Sequence, residues 1–195
     1  MEIVLASHNK KKIKELDTFL SDMLGGNKIL TAGEVGIDDI EENGTTFSEN
    51  ALIKARAVWK DGRLTIADDS GLCVNALGGA PGVYSARYAG EPCDNDKNNE
   101  KLLSELKDKS DRSAYFVCTI ACKLPSGEEF TVTGRSDGVI LNEKQGDGGF
   151  GYDPIFIADE YPGMTLADIT EEQKNEISHR GKALRAMAEW LKKNA

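Results

Sequence analysis

Ile66-Ala67-Asp68-Asp69-Ser70-Gly71-Leu72 is the stretch around which the rest of this sequence is organised. The apolar run at residues 64–67 predicts a buried strand that delivers two adjacent carboxylates to its end. Successive side chains of a strand point to opposite faces, so we expect Asp68 and Asp69 to diverge. Ser70 and Gly71 then predict a turn, because both residue types favour turns.

Two interpretations of the paired carboxylates are open at this point. The simpler one is an Asx turn, in which Asp and Ser side chains bond to their own backbone. The other is a metal site, because two neighbouring carboxylates repel each other and a cation offsets that repulsion.

Composition narrows the class of protein. The chain has 195 residues, enough for one domain with its own core, and 39% of them are hydrophobic. A formal net charge of -9 argues against general binding to nucleic acid, which basic surfaces carry. The sequence shows neither a run of membrane-spanning length nor a signal-peptide pattern, which predicts a cytoplasmic protein without a membrane partner. Two histidines and four scattered cysteines do not form a zinc site of the usual kinds.

A run of lysines follows the first predicted strand. Residues 2–6 predict that strand, Ser7-His8-Asn9 follows it, and Lys10-Lys11-Lys12 then opens a stretch with apolar residues at helical spacing. The macrodipole disfavours cations in a first helical turn. We expect no neighbouring acid in the sequence to pair with Lys12. The run is therefore either a solvated face or, with the free N–H groups of the helix start, an anion site.

Further helices are marked by their caps. Residues 46–49 form a capping box that predicts a helix, and Asn50 and Lys54 would share one face of it, the usual arrangement of a solvated stripe. Asp94 or Asn95 caps a third helix, residues 170–173 form a second capping box, and Ser178 caps the last helix.

The second half of the chain adds strands. Residues 114–124 and 129–133 predict a hairpin, and residues 138–141 continue the sheet. Strands and helices are mixed along the chain, which indicates a mixed α/β sheet. Residues 146–154 are rich in glycine but carry Phe150 and Tyr152, and aromatic side chains on loops commonly stack on bases.

These features occur together in one order that closely resembles the inosine/xanthosine triphosphate pyrophosphatase family, the HAM1-like enzymes. The resemblance extends from Ile3 to about Leu191. The motifs that carry it are Ser7-x-Asn9-x-x-Lys12, Phe47-x-Glu49-Asn50-Ala51-x-x-Lys54-Ala55, Ala67-Asp68-Asp69-Ser70-Gly71-Leu72, Leu77-Gly78-Gly79-x-Pro81-Gly82, Gly148-Gly149-Phe150-Gly151-Tyr152-Asp153-Pro154 and Ser178-His179-Arg180. His8 stands where members of that family often have glycine.

The resemblance implies a fold and an activity. The fold would be an elongated mixed β-sheet flanked by helices, one domain over residues 1–195 with two lobes and a central nucleotide cleft. The activity would be Mg²⁺-dependent hydrolysis of ITP, dITP and XTP to the monophosphate and pyrophosphate, by a cytoplasmic homodimer that cleanses the nucleotide pool.

The resemblance also implies roles for individual residues. Asp69 would be the proton acceptor, and Glu42 and Asp69 would hold Mg²⁺, with Glu41 as the alternative to Glu42. The substrate-binding residues would be Ser7, His8, Asn9, Lys10, Lys11, Lys12, Lys54, Ser70, Phe150, Gly151, Tyr152, Asp153, Lys174, His179 and Arg180.

Three other functions remain as alternatives. A phosphatase could use Asp68 or Asp69 as a nucleophile and release inorganic phosphate through a phosphoenzyme. A nucleotide-binding regulator would have the same cleft without turnover. A pyrophosphatase of a related fold would act on ordinary or methylated pyrimidine nucleotides instead.

Overall fold

The computed structural model describes residues 2–7, 9–24, 28–37, 40–60 and 62–194. It has six strands, five α-helices and several short 3-10 helices in that part of the chain. The strands are β1 (Glu2–Leu5), β2 (Lys28–Thr31), β3 (Leu64–Val74), β4 (Ser113–Lys123), β5 (Glu129–Ile140) and β6 (Phe156–Ala158). The helices are α1 (Lys10–Leu24), α2 (Phe47–Val58), α3 (Asn95–Glu105), α4 (Glu171–Ile177) and α5 (His179–Asn194).

The strands form one mixed sheet in the order β2-β1-β3-β4-β5-β6. β1 runs parallel to both of its neighbours, with Val4 opposite Leu30 on β2 and Thr65 on β3. At the other edge β5 and β6 are antiparallel, with Val139 opposite Ile157. The prediction of a mixed α/β sheet is therefore confirmed.

The chain divides into two compact units, and β3, β4, β5 and α5 contribute residues to both. The first unit comprises residues 1–69, 118–133 and 183–195. The second unit comprises residues 70–117 and 134–182.

The first unit has apolar clusters that contain its parallel strands. β1 is apolar after Glu2, and Ile3, Val4 and Leu5 are fully buried. One cluster joins residues of β1, β3 and β4 to Leu16 and Leu20 of α1. Cys118 and Cys122 lie in that cluster with no exposed surface, so they fill the core. A second cluster joins Ala51, Ala55 and Val58 of α2 to residues of β1 and β3.

The second unit has its own core. Leu102 and Leu106, at the end of α3, pack with Phe156 of β6 and with Ile155 just before it. Tyr152 is a buried member of the same core. Of the remaining cysteines, Cys73 is buried on β3 and Cys93 is exposed just before α3.

The helix ends match the predicted caps. The Thr46 side chain accepts the N–H of Glu49, and the Glu49 carboxylate accepts the N–H of Thr46, so α2 begins with a full capping box. Thr170 and Gln173 make the same reciprocal pair before α4. Asp94 caps α3 through the N–H of Lys97. No helix in the described part of the chain is long and apolar enough to span a membrane.

The predicted turn at Ser70 and Gly71 is wrong. β3 runs without interruption from Leu64 to Val74, so the Asx-turn interpretation is wrong as well. Ten of its eleven residues are buried, with only Ser70 half-exposed. Burial on both faces and ladder pairing therefore outweigh the turn preference of the Ser-Gly pair, since turn propensity is a local and weaker effect.

Candidate active site

Asp68 and Asp69 lie in the interior of β3, and both are buried. Because they are adjacent on a strand, their side chains point to opposite faces. Asp68 contacts a residue of α1, and Asp69 contacts residues of α2. The predicted divergence of the two carboxylates is confirmed.

Asp68 pairs with the lysine at the start of α1. The Lys12 Nζ lies 3.0 Å from the Asp68 Oδ2, and only 1% of the Asp68 side chain is exposed. Lys12 therefore has an acid to pair with, and that acid comes from a distant part of the sequence. The pair partly offsets a cation that the macrodipole disfavours in this first turn.

The start of α1 is capped by Asn9. Its Oδ1 accepts the N–H of Lys12 at 3.3 Å, and its own N–H donates to the Ser7 Oγ at 3.2 Å. Asn9 is exposed and Ser7 half-exposed. His8 and the side chains of Lys10 and Lys11 lie outside the described residues.

Lys54 of α2 connects two carboxylates. Its Nζ lies 2.8 Å from the Glu42 Oε2 and 3.5 Å from the Asp69 Oδ1. Lys54 is 8% exposed, so the predicted solvated stripe on this face of α2 is wrong. Glu42 is half-buried and Glu41 exposed, and it is Glu42 that contacts Lys54.

Burial and neighbouring charges shift the pKa of two of these groups. Burial raises the pKa of the Asp69 carboxyl and the negative charge of Glu42 adds to the rise, while Lys54 and Lys12 oppose it. Burial would by itself lower the pKa of Lys54, but Asp69, Asp68 and Glu42 reverse the effect, so the net shift is upward. The neighbouring carboxylates thus favour the charged form of Lys54, whereas burial disfavours the charged form of Asp69.

Glu42 and Asp69 fit the ligand chemistry of a magnesium ion. Their oxygens converge on one cation, which here is the Lys54 ammonium. Mg²⁺ prefers oxygen ligands and is commonly bound by one or two carboxylates, with water and substrate phosphates completing its shell. Within residues 2–7, 9–24, 28–37, 40–60 and 62–194, no His, Cys, Asp or Glu side chains form a group of three or more that could hold a metal.

A second group of predicted residues lies in and around the glycine-rich segment of residues 146–154, in the second unit. Lys174 Nζ lies 2.6 Å from the Asp153 Oδ2 and 4.6 Å from the centroid of the Phe150 ring. The same Asp153 oxygen accepts the N–H of Phe150 at 2.6 Å. Gly149 has φ +72°, and a Cβ there would lie 2.4 Å from that oxygen, so a side chain would disrupt the arrangement.

Tyr152 and Gly151 of the same segment contact residues outside it. Tyr152 is buried, and its hydroxyl donates to the carbonyl oxygen of Ser85 at 2.8 Å. The carbonyl oxygen of Gly151 accepts a hydrogen bond from the Asn99 side chain at 3.0 Å. These contacts hold the backbone that carries Phe150 in place.

The first turn of α5 carries two buried polar side chains. His179 stacks on Phe116 with ring centroids 4.8 Å apart and an interplanar angle of 12°. Arg180 Nη2 lies 3.2 Å from the Ser70 Oγ on β3. The turn itself is capped by Ser178, whose Oγ accepts the N–H of Gly181.

The predicted residues thus form two sets, one within each unit. In the first unit the contacts join Lys12 to Asp68, and Lys54 to Glu42 and Asp69. In the second unit they join Phe150, Asp153 and Lys174, and separately Ser70 and Arg180. Each set combines buried carboxylates or hydroxyls with cations, as sites for charged ligands do.

Comparison with known proteins agrees with these motifs. The sequence profile of the Ham1 family matches residues 3–190. A dITP/XTP pyrophosphatase from Desulforamulus reducens is 50% identical over 195 residues, which cover 98% of this chain and 96% of the relative.

The chain belongs to the Ham1 family. A second relative in it, a dITP/XTP pyrophosphatase from Bacillus subtilis, is 47% identical over 194 residues, covering 97% of this chain and 96% of the relative. The solved structure of the Staphylococcus aureus Ham1 protein superposes with a TM-score of 0.90 at 41% identity, with 100% of both chains covered.

Besides Asp68, three side chains outside the predicted site contact predicted site residues of this Ham1 protein. Asn50 contacts Asp69, Asn99 contacts Gly151 and Phe116 contacts His179. Asn50 stands one helical turn before Lys54, and that spacing was the available signal. No signal in the sequence links Asn99 or Phe116 to its partner.

Proposed function

We propose that this chain hydrolyses ITP, dITP and XTP to the monophosphate and pyrophosphate in the presence of Mg²⁺. The carrying observation is the convergence of Glu42 and the buried Asp69 on the Lys54 ammonium. The names of the relatives from D. reducens and B. subtilis support the same substrate class. A negatively charged protein binds a triphosphate only where cations are concentrated, and Lys12 and Lys54 are such cations.

Glu42 and Asp69 would hold the magnesium ion. When bound there, the ion would offset the negative charge of the phosphates and of the two carboxylates. Lys54 contacts both carboxylates and is charged, so it would move from them onto a phosphate oxygen.

Asp69 is the residue that we assign as proton acceptor. A water molecule would attack the α-phosphorus and form the new P–O bond, its proton would pass to an Asp69 oxygen, and the bond to pyrophosphate would break. The raised pKa of Asp69 favours this transfer, because a base works best when its pKa approaches the operating pH. Lys12 and Lys54 would stabilise the charge on the departing pyrophosphate.

Residues of the second unit would bind the nucleoside. Phe150 would stack on the base, since stacking is tolerant of base identity. Lys174, His179 and Arg180 would supply donors to the 6-oxo group of hypoxanthine or xanthine, and Ser70 would contact the nucleotide. Adenine presents an amino donor at that position, so donors would be left unpaired against it.

Ser7, His8, Asn9, Lys10 and Lys11 would bind the triphosphate together with Lys12. The N–H groups at the start of a helix attract anions, which supports this assignment for the start of α1.

By resemblance to its family, the protein would act as a homodimer in the cytoplasm. Sedimentation at several protein concentrations tests the dimer, and a sedimentation coefficient of a monomer throughout would refute it.

One assay separates this function from its alternatives. Phosphate release is measured on ITP, dTTP and ATP, with and without added inorganic pyrophosphatase and with and without excess EDTA. We expect phosphate from ITP only when pyrophosphatase is present. Because EDTA also inactivates that coupling enzyme, the monophosphate product is measured directly by chromatography in the EDTA samples, and we expect none.

Each alternative gives another result in the same assay. Phosphate without pyrophosphatase, with a trappable phosphoenzyme, would indicate an aspartyl phosphatase. Preferential turnover of dTTP would indicate a pyrimidine enzyme. Binding of ITP without turnover would indicate a regulator. Any of these outcomes would refute the proposal.

A further inference from the structure

Asn50 makes two hydrogen bonds from a buried position on α2. Its Nδ2 donates to the Asp69 Oδ2 at 3.2 Å, and its Oδ1 accepts the N–H of Gly44 at 2.8 Å. It is 3% exposed. The orientation of the amide follows from its partners, because a carboxylate requires a donor and an N–H requires an acceptor.

Asn50 and Lys54 hold the same carboxylate from one face of the helix. They are four residues apart, so they lie one above the other, and each contacts a different oxygen of Asp69. Each also reaches the segment before α2, Asn50 at Gly44 and Lys54 at Glu42. Asp69 is therefore connected to that segment by one neutral bridge and one cationic bridge.

The approach of this segment to Asn50 requires a glycine. A Cβ at Gly44 would lie 2.6 Å from the Asn50 Oδ1 and 2.8 Å from the Glu49 Cβ. Both distances are shorter than side chains tolerate, so the short bond between Gly44 and Asn50 depends on the missing side chain. The segment that carries Glu42 is thereby fixed to α2 two residues beyond Glu42.

The two bridges respond differently to the arrival of a charged ligand. Lys54 approaches Asp69 only to 3.5 Å, and an arriving cation would repel it while an arriving phosphate would attract it away from Asp69. Asn50 carries no charge, so such an arrival does not repel it. It also adds no charge that would compete with a cation for Asp69. Its bond would therefore keep the Asp69 carboxylate oriented after Lys54 has moved.

We propose that Asn50 is a positioning residue that holds Asp69 and the Glu42 segment at the spacing required for binding of a divalent cation. The inference rests on the proposed function, in which Glu42 and Asp69 hold Mg²⁺. Residues that orient metal ligands typically change metal affinity about 10-fold to 100-fold when they are substituted. Their loss affects binding even though they do not touch the ion.

The test compares Asn50→Ala and Asn50→Leu with the wild-type chain. Asn50→Leu keeps the number and branching of the side-chain heavy atoms but forms neither hydrogen bond, so it separates loss of the bonds from loss of the side chain and remains informative where the smaller residue fails to fold. Val58→Ala is the matched control, because Val58 is buried on the same helix and packs in an apolar cluster. Mg²⁺ affinity is obtained without nucleotide, from the rise of the melting temperature with Mg²⁺ concentration.

We expect both Asn50 variants to bind Mg²⁺ about 10-fold to 100-fold more weakly, and Val58→Ala to keep wild-type affinity despite its lower melting temperature. Wild-type Mg²⁺ affinity in the folded Asn50 variants would overturn the inference and leave the proposed function intact. Absence of ITP hydrolysis by the wild-type chain would instead refute the proposed function. Absence of Mg²⁺ binding by that chain would overturn the inference as well.

Discussion

Substitution of Lys54 by Met is expected to destabilise the protein in a way that depends on pH. The variant keeps an unbranched side chain of similar length but removes the ammonium between Glu42 and Asp69. Removal of one partner of a buried ion pair typically costs about 3–5 kcal/mol, because the remaining charge stays desolvated. Glu42 is 34% exposed in its side chain, so most of the cost arises at Asp69, whose side chain is 12% exposed.

Protonation of Asp69 limits this cost. An aspartate of ordinary pKa is neutralised at pH 7 for about 4 kcal/mol, and at pH 5 for about 1.5 kcal/mol. Burial already raises the pKa of Asp69 and the charge of Lys54 opposes the rise, so the pKa rises further in the variant. An acid whose pKa is higher in the folded state stabilises the fold at low pH and loses that contribution as pH rises. The deficit is therefore about 3–4 kcal/mol near neutral pH and about 1.5 kcal/mol or less near pH 5.

Urea unfolding in EDTA at the two pH values measures this difference. Lys28→Met is the control, because Lys28 is exposed and its contact with Glu2 is long, at 3.7 Å. We expect the control to change stability by about 0.5 kcal/mol or less at either pH. A deficit of Lys54→Met that is the same at both pH values would refute the reasoning, because the loss would then not come from the charge of Asp69.

Three further predictions concern substrate and packing. Lys12→Ala is expected to weaken binding of ITP much more than binding of IMP in calorimetric titrations, because an ammonium near phosphates contributes most to the more highly charged ligand. Equal losses would show that Lys12 serves only its pair with Asp68. Arg180→Ala is expected to reduce the ratio of kcat/KM for ITP to that for ATP, because a donor to the 6-oxo group is lost; an unchanged ratio would exclude that donor role. Tyr152→Phe is expected to leave this ratio nearly unchanged. It is also expected to lower the free energy of unfolding by about 1 kcal/mol, since it removes the hydrogen bond to Ser85. Unaltered stability in urea would argue against that bond.

The elements that local chemistry determines could be predicted from the sequence. The capping boxes at Thr46 and Thr170 begin α2 and α4 as expected, because the cap and its partner lie within one helical turn. The mixed sheet also follows from local patterns. The apolar residues of β1 and the alternation of β5 mark strands independently of the rest of the fold.

Contacts between distant parts of the chain could not be predicted in this way. The turn expected at Ser70 and Gly71 is absent, because burial of β3 on both faces is a property of the assembled sheet. Lys12 meets Asp68 only because α1 packs beside β3, and the motif of either residue does not contain the other. The burial of Asn50 and Lys54 likewise depends on their contacts with Asp69 and Glu42, which lie outside α2.

The distribution of the four thiols makes one of them, in the native protein, much more accessible to thiol reagents than the others. Cys73, Cys118 and Cys122 are buried, and burial raises the pKa of Cys73 and of Cys122, so thiolate is scarce at those two positions. Cys93 is exposed just before α3. A maleimide dye would therefore mark the folded chain at one place. Uptake of further label would then time the opening of the two cores separately, because Cys118 and Cys122 report on the first unit and Cys73 on the second.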